Sequence, residues 1–187
     1  MKETLTLTIK LLLICAIVTG LLAFVNMITE PIILENNQKN FEASMAEVLP
    51  NAGAFKEVDL SEFTPSESGV ALDSVYQSNS GGYVASTVCS EGYGGDISVM
   101  VGVYPDGSIS QVRIMSMSET PGLGAKSTNP EFTDQYKMLT RGISVIKNAK
   151  PEGNQIAAIS GATVTSKAVT KAVNTALEAV DRIKGGK

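Results

Sequence analysis

Three short stretches hold the side chains with which this chain could do chemistry. The first is I-S-G-A-T-V-T-S-K-A-V, residues 159–169, where Ser160, Thr163, Thr165 and Ser166 stand among small residues as a long helical pattern begins. A helix N-terminus offers unpaired N–H groups and the positive end of the macrodipole. Small side chains there let a phosphate reach the backbone closely. Ser and Thr are also ordinary helix caps, so these residues alone leave both an anion site and a well-capped helix open. The second stretch is S-E-T-P-G-L-G-A-K, residues 118–126. Pro121 with Gly122 makes a tight turn and Gly124 allows another reversal. A polar loop of this kind either covers a ligand or is a plain surface turn. The third is E-G-Y-G-G-D-I, residues 91–97. Its three glycines let a planar ring lie near the backbone beside Tyr93, or they form a bulge or turn.

What is missing narrows the chemistry further. The chain has no histidine and no tryptophan, and two cysteines, Cys15 and Cys89, that stand far apart. Without histidine there is no Ser-His-Asp or Cys-His arrangement and no C-x-x-C-H haem attachment. No zinc or iron–sulfur ligand set is expected. The formal net charge is −4, with no basic patch of the kind that neutralises phosphates, so nucleic acid is not an expected partner.

The elements that must position these stretches read as follows. Residues 11–29, LLLICAIVTGLLAFVNMIT, carry no charge and are about the length that crosses a hydrocarbon core. Lys2 and Lys10 precede them and Glu30 follows, which places the N-terminus in the cytoplasm and the remainder outside. A cleaved leader would want a shorter apolar core and a small-x-small exit. A lipoprotein would want a small residue before its cysteine, where Ile14 stands. A retained span at residues 1–30 is therefore expected. Residues 31–54 read as a juxtamembrane helix or stalk, with Pro31 kinking or restarting the helix and Pro50 ending it.

From residue 55 the pattern changes to short alternating segments. Strands are expected at 70–77 and 82–89 around S-N-S-G-G, and at 97–104 and 109–115 around P-D-G-S. A short helix is expected at 131–139, and a hairpin of 143–147 with 155–159 across N-A-K-P-E-G-N. A final helix spans about 164–184, with Val169, Val173, Ala176, Leu177, Val180 and Ile183 as its apolar stripe. Strands joined by tight turns predict an α+β fold: a mainly antiparallel sheet with packed helices at 55–187, behind a transmembrane helix. They argue against the parallel sheet of a dinucleotide fold.

Taken in order, the three stretches resemble one family. S-G-A-T-V-T-S is similar to the flavinylation motif of membrane-anchored FMN-binding subunits. E-T-P-G-L-G-A-K is similar to the signature loop of the G subunit of the Rnf electron-transport complex, and G-Y-G-G with I-S-V-M-V-G resembles that family's flavin-domain core. The resemblance implies covalent FMN, joined through its phosphate to a threonine hydroxyl by a separate flavin transferase outside the cytoplasmic membrane. The matching acceptor is Thr163, with Ser160, Gly161, Ala162, Val164 and Thr165 around it. Thr120, Gly122, Leu123 and Gly124 are expected beside the ring with Tyr93, and Glu119 and Lys126 are expected to bias its charge state. The implied role is an electron relay in a complex that couples ferredoxin:NAD electron transfer to ion translocation, with the other subunits and membrane lipid as partners. Two positions depart from the family pattern: Ala157 where an aspartate is usual, and Met117 where a histidine is frequent. The nearest alternative is the C subunit of the sodium-pumping NADH:quinone reductase, which shares S-G-A-T but is longer. A non-redox anchored assembly or binding module is the alternative of a different class.

Overall fold

The computed structural model describes residues 2–60, 63–147 and 149–185. The chain divides into two compact units, Met1–Ala43 and Ser44–Lys187. The first unit is helical throughout its described residues and belongs to helix α1, Lys2–Val48. Its leucines, isoleucines and valines from Leu7 to Leu34 are exposed. That is the pattern of a helix whose apolar surface faces lipid rather than a protein core. It is the candidate membrane span among the described residues. The helix does not restart at Pro31, which lies inside it. A proline removes one backbone donor, and the neighbouring polar side chains bind locally: Thr29 Oγ1 donates to the Val25 carbonyl and Asn26 Nδ2 to Glu30 Oε2.

The second unit is built on a five-stranded antiparallel meander: β1 (Phe55–Glu57), β2 (Val70–Ser78), β3 (Tyr83–Cys89), β4 (Ile97–Val103) and β5 (Ile109–Ser116), in that spatial order. Each pair of neighbours is also adjacent in sequence, so each connection can be a short turn. The turn before β5 works as P-D-G-S predicts. Asp106 Oδ1 accepts from both the Ser108 amide and its hydroxyl, and these bonds hold the Asp106 carboxyl below its usual range.

Helix α3, Thr163–Gly185, covers one face of the sheet. Val169, Ala172, Val173, Ala176, Leu177 and Val180 are buried against Ala85, Val99, Val101 and Val103. Thr87 Oγ1 donates to the Ala172 carbonyl, fixing the helix to β3. On the opposite face the chain at Val48 and Leu49 lies against Gly102 and Gly82. β3 and β4 are thus covered on both sides, which is why they read as nearly continuous apolar runs.

Two expectations change between β5 and α3. The expected helix at 131–139 is an α-turn, α2 (Pro130–Thr133), followed by a 310 turn at Asp134–Tyr136. Phe132 and Tyr136 still enter the core, edge to face at 5.6 Å. The expected hairpin is instead a parallel pair, β6 (Ser144–Ile146) with β7 (Gln155–Ala157). Strands of three residues rise only about 10 Å, so even a short loop can return to the starting end. Asn154 anchors that return: its Nδ2 donates to the Thr140 and Arg141 carbonyls and its Oδ1 accepts from the Thr140 amide.

Candidate cofactor site

The three chemical stretches converge. A cavity of about 460 Å³ is lined by Tyr93, Glu119, Thr120, Leu123, Gly124, Gly161, Ala162, Thr163, Val164 and Thr165. Its size is in the range of small-molecule sites. Ser160, Gly122 and Lys126 stand outside this lining.

The start of α3 forms one wall. Gly161 has φ +77°, a left-handed turn that brings the chain in at an angle glycine tolerates best. Ser166 N donates to the Ala162 carbonyl as the first helical bond, so the amides of the residues between them have no partner within the helix. The hydroxyls here divide sharply. Ser166 is fully buried, accepting from the Ile159 amide and donating to the Ala162 carbonyl. Thr165 is 1% exposed and donates to Glu119 Oε2 at 2.8 Å. Thr163 is half-buried, lines the cavity, and its hydroxyl makes no hydrogen bond among the described residues.

The loop from Ser118 to Thr128 forms the second wall. Its second half is a 310 turn at Gly124–Thr128. At Gly124 a side chain would collide with the Glu119 carboxylate, so glycine is what lets the loop close over that group. The Met117 sulfur, where the family pattern has histidine, accepts from the buried Ser127 hydroxyl at 3.4 Å. Ala157, where it has aspartate, lies in β7, and its amide donates to Gln135 Oε1 at 2.7 Å.

Residues 91–96 form the third wall. At Gly94 a side chain would run into the Ser118 carbonyl, so two backbones touch there. Glu91 at the loop's outer end pairs with Lys171 of α3 at 2.8 Å. This bond holds the Glu91 carboxyl below its usual range and pushes the Lys171 ammonium above its own. Between these anchors Tyr93 stands 74% exposed at the mouth, with Leu123 at 44% and Val164 at 50%. Three apolar side chains exposed around one opening form a surface on which a flat ring can lie.

The arrangement is one that a flavin mononucleotide fits. Free amides at a helix start suit a phosphate, one unbonded hydroxyl stands beside them, and an apolar rim surrounds the mouth. A family model described as an FMN-binding domain matches residues 92–178, and one described as the RnfG N-terminal region matches residues 1–48. The G subunit of the Na(+)-translocating ferredoxin:NAD(+) oxidoreductase complex of Acetobacterium woodii is 34% identical over 95% of this chain and 91% of its own length. The chain belongs to the RnfG family. Another RnfG relative, the G subunit of the ion-translocating oxidoreductase complex of Methanosarcina acetivorans, is 34% identical over 98% of each chain. Among solved structures, NqrC of Shewanella oneidensis is 27% identical with a TM-score of 0.49, over 54% of this chain and 53% of that chain.

Sequence reasoning on the RnfG pattern missed the bonds that hold the walls together. Glu119 to Thr165 and Lys171 to Glu91 join residues 46 and 80 positions apart. No local spacing signals such a pair.

Proposed function

We propose that this chain is the flavin-carrying electron relay of an Rnf-type complex, with FMN joined through its phosphate to the Thr163 hydroxyl. The observation that carries the attachment is the division of hydroxyls at the start of α3. Ser166 and Thr165 are buried and bonded, whereas Thr163 faces the cavity with its hydroxyl unspent.

When bound, FMN supplies the one- and two-electron chemistry of the isoalloxazine ring, which the side chains of this protein cannot provide. The chain's own residues hold and orient it. The first-turn amides of α3 and its dipole receive the phosphate. A phosphate tether leaves the ring unmodified and keeps it at high local concentration. Tyr93, Leu123 and Val164 give the ring an apolar surface, and Thr120 and Gly124 also line the cavity. No acid–base set is needed for this role.

The wider assignment follows the family. Relatives carry names of ferredoxin:NAD(+) oxidoreductase complexes that translocate ions, and the same coupling is assigned here, with the other subunits as electron partners. Residues 1–30 anchor the chain in the lipid of the cell membrane with the N-terminus cytoplasmic, residues 31–54 form the stalk, and residues 55–187 carry FMN outside. A flavin transferase on that side completes the site. Co-expression with an active transferase tests this reading: a denatured gel band of the wild type fluoresces, that of Thr163→Ala is dark, and tandem mass spectrometry puts the flavin phosphate on residue 163. A dark wild-type band, or a phosphate on Thr165, overturns it.

A further inference from the structure

Glu119 is the one carboxylate among the cavity's lining residues, and it is 8% exposed. A carboxylate at that depth persists only when its oxygens are satisfied. One oxygen accepts from the Gly94 amide at 3.1 Å and the other from the Thr165 hydroxyl at 2.8 Å. The group therefore touches all three walls: it belongs to the second, bonds the third through Gly94, and bonds α3 through Thr165. Gly124 closes over it on the fourth side. Each oxygen thus accepts a hydrogen bond from another wall of the cavity.

We propose that Glu119 is the positioning residue of this site. It does not tune the ring by its charge. It acts through two hydrogen bonds, one setting the loop that presents Tyr93 and one turning the Thr165 hydroxyl inward, so that Thr163 is left as the hydroxyl facing the cavity. The proposal rests on the reading of the cavity as a flavin site.

Glutamine separates this role from charge tuning. It has the same reach, its carbonyl oxygen can accept from Gly94, and its amide nitrogen can donate to the Thr165 oxygen, all without a charge. Alanine makes neither bond, and aspartate is one methylene too short to make both. The test uses the full chain co-expressed with an active flavin transferase. Three quantities are read: the flavin fluorescence of the denatured band, the visible circular dichroism of the folded protein, and the flavin midpoint potential. Glu119→Gln keeps loading within about twofold of wild type and keeps its dichroism and potential. Glu119→Asp loses about tenfold in loading, the factor for one lost hydrogen bond to a buried charged group. Glu119→Ala, which loses both bonds, loses more, and what flavin remains in either has altered dichroism. Thr165→Val keeps the charge, loses one bond and moves in the same direction, which decides the matter if Glu119→Ala fails to fold. A Glu119→Gln protein with the potential or loading of Glu119→Ala overturns the proposal, as does a Glu119→Ala protein indistinguishable from wild type. An unloaded wild type instead overturns the flavin reading itself.

Discussion

Two cavities of almost equal volume open on the globular unit, about 460 Å³ at the start of α3 and about 450 Å³ beside β1 and β2. Their walls differ in kind. The first has a helix N-terminus, two glycine-bearing loops and an unspent hydroxyl. The second is lined by Glu57, Asp59 and Asp73 with Leu60, Phe63, Pro65 and the flank of β2. No helix begins there among the described residues, and its carboxylates repel a phosphate. Volume alone does not make a phosphate-bearing ligand's site. Fixed donors aimed into the space do, together with the backbone contacts that keep them aimed.

The sharpest way to break this comparison is at the backbone contacts. Gly94→Ala puts a methyl group against the Ser118 carbonyl. The substitution is expected to cost about 3 kcal/mol, as overpacking between rigid partners does, and to lower flavin loading. Urea unfolding and gel fluorescence measure the two effects. Unchanged stability would mean that the first cavity's walls are not locked as described.

A smaller effect concerns what stands behind the first cavity. Tyr136 is fully buried, its hydroxyl bonded to Thr170 Oγ1 at 2.8 Å, and Thr170 donates in turn to the Ser166 carbonyl in α3's first turns. Burial pushes the Tyr136 phenol above the ordinary value of 10.0. The unfolded chain ionises at the ordinary value while the folded chain stays neutral. The phenol's contribution to stability is therefore intact below about pH 10 and is lost as the pH rises beyond it. Denaturation curves from about pH 8 to about pH 11.5 are expected to show a steeper fall for wild type than for Tyr136→Phe, which has no phenol to ionise. The phenylalanine variant itself costs about 1 kcal/mol at neutral pH. Parallel curves would remove Tyr136 from the support of α3.

The smallest expected change is in the second cavity. Asp73 lies in its wall, away from the start of α3. Asp73→Asn should stay within about 0.5 kcal/mol of wild type and leave flavin loading unchanged. A loading defect in Asp73→Asn would erase the distinction between the two cavities.

How much of this was legible before the structure depended on range. β2 to β5 were readable because alternation and turn residues act within a few positions, and α3 because its apolar stripe repeats over 23 residues. β6 and β7 were misread as a hairpin because three residues carry no usable period and the side chain that sets the return, Asn154, bonds Thr140 and Arg141. Pro31 looked like a break because local rules count the lost donor and not the turns on either side. The stretches that line the first cavity were visible as glycine and hydroxyl clusters. That Thr163 and not Thr165 keeps a free hydroxyl was not visible, because the partner that occupies Thr165 lies 46 residues away. Glu119 read as a charge near a ring for the same reason. Its two bonds exist only once two loops and the start of α3 have met.

The order of elements along the chain sets a timetable for biosynthesis. All five strands of the meander leave the ribosome before α3 does. Until α3 docks, Ala85, Val99, Val101 and Val103 have no cover, and the wall that carries Thr163 does not exist. A cofactor held at the first turn of α3 therefore has no complete seat until that helix has docked. The same docking event that seals the core also creates that seat.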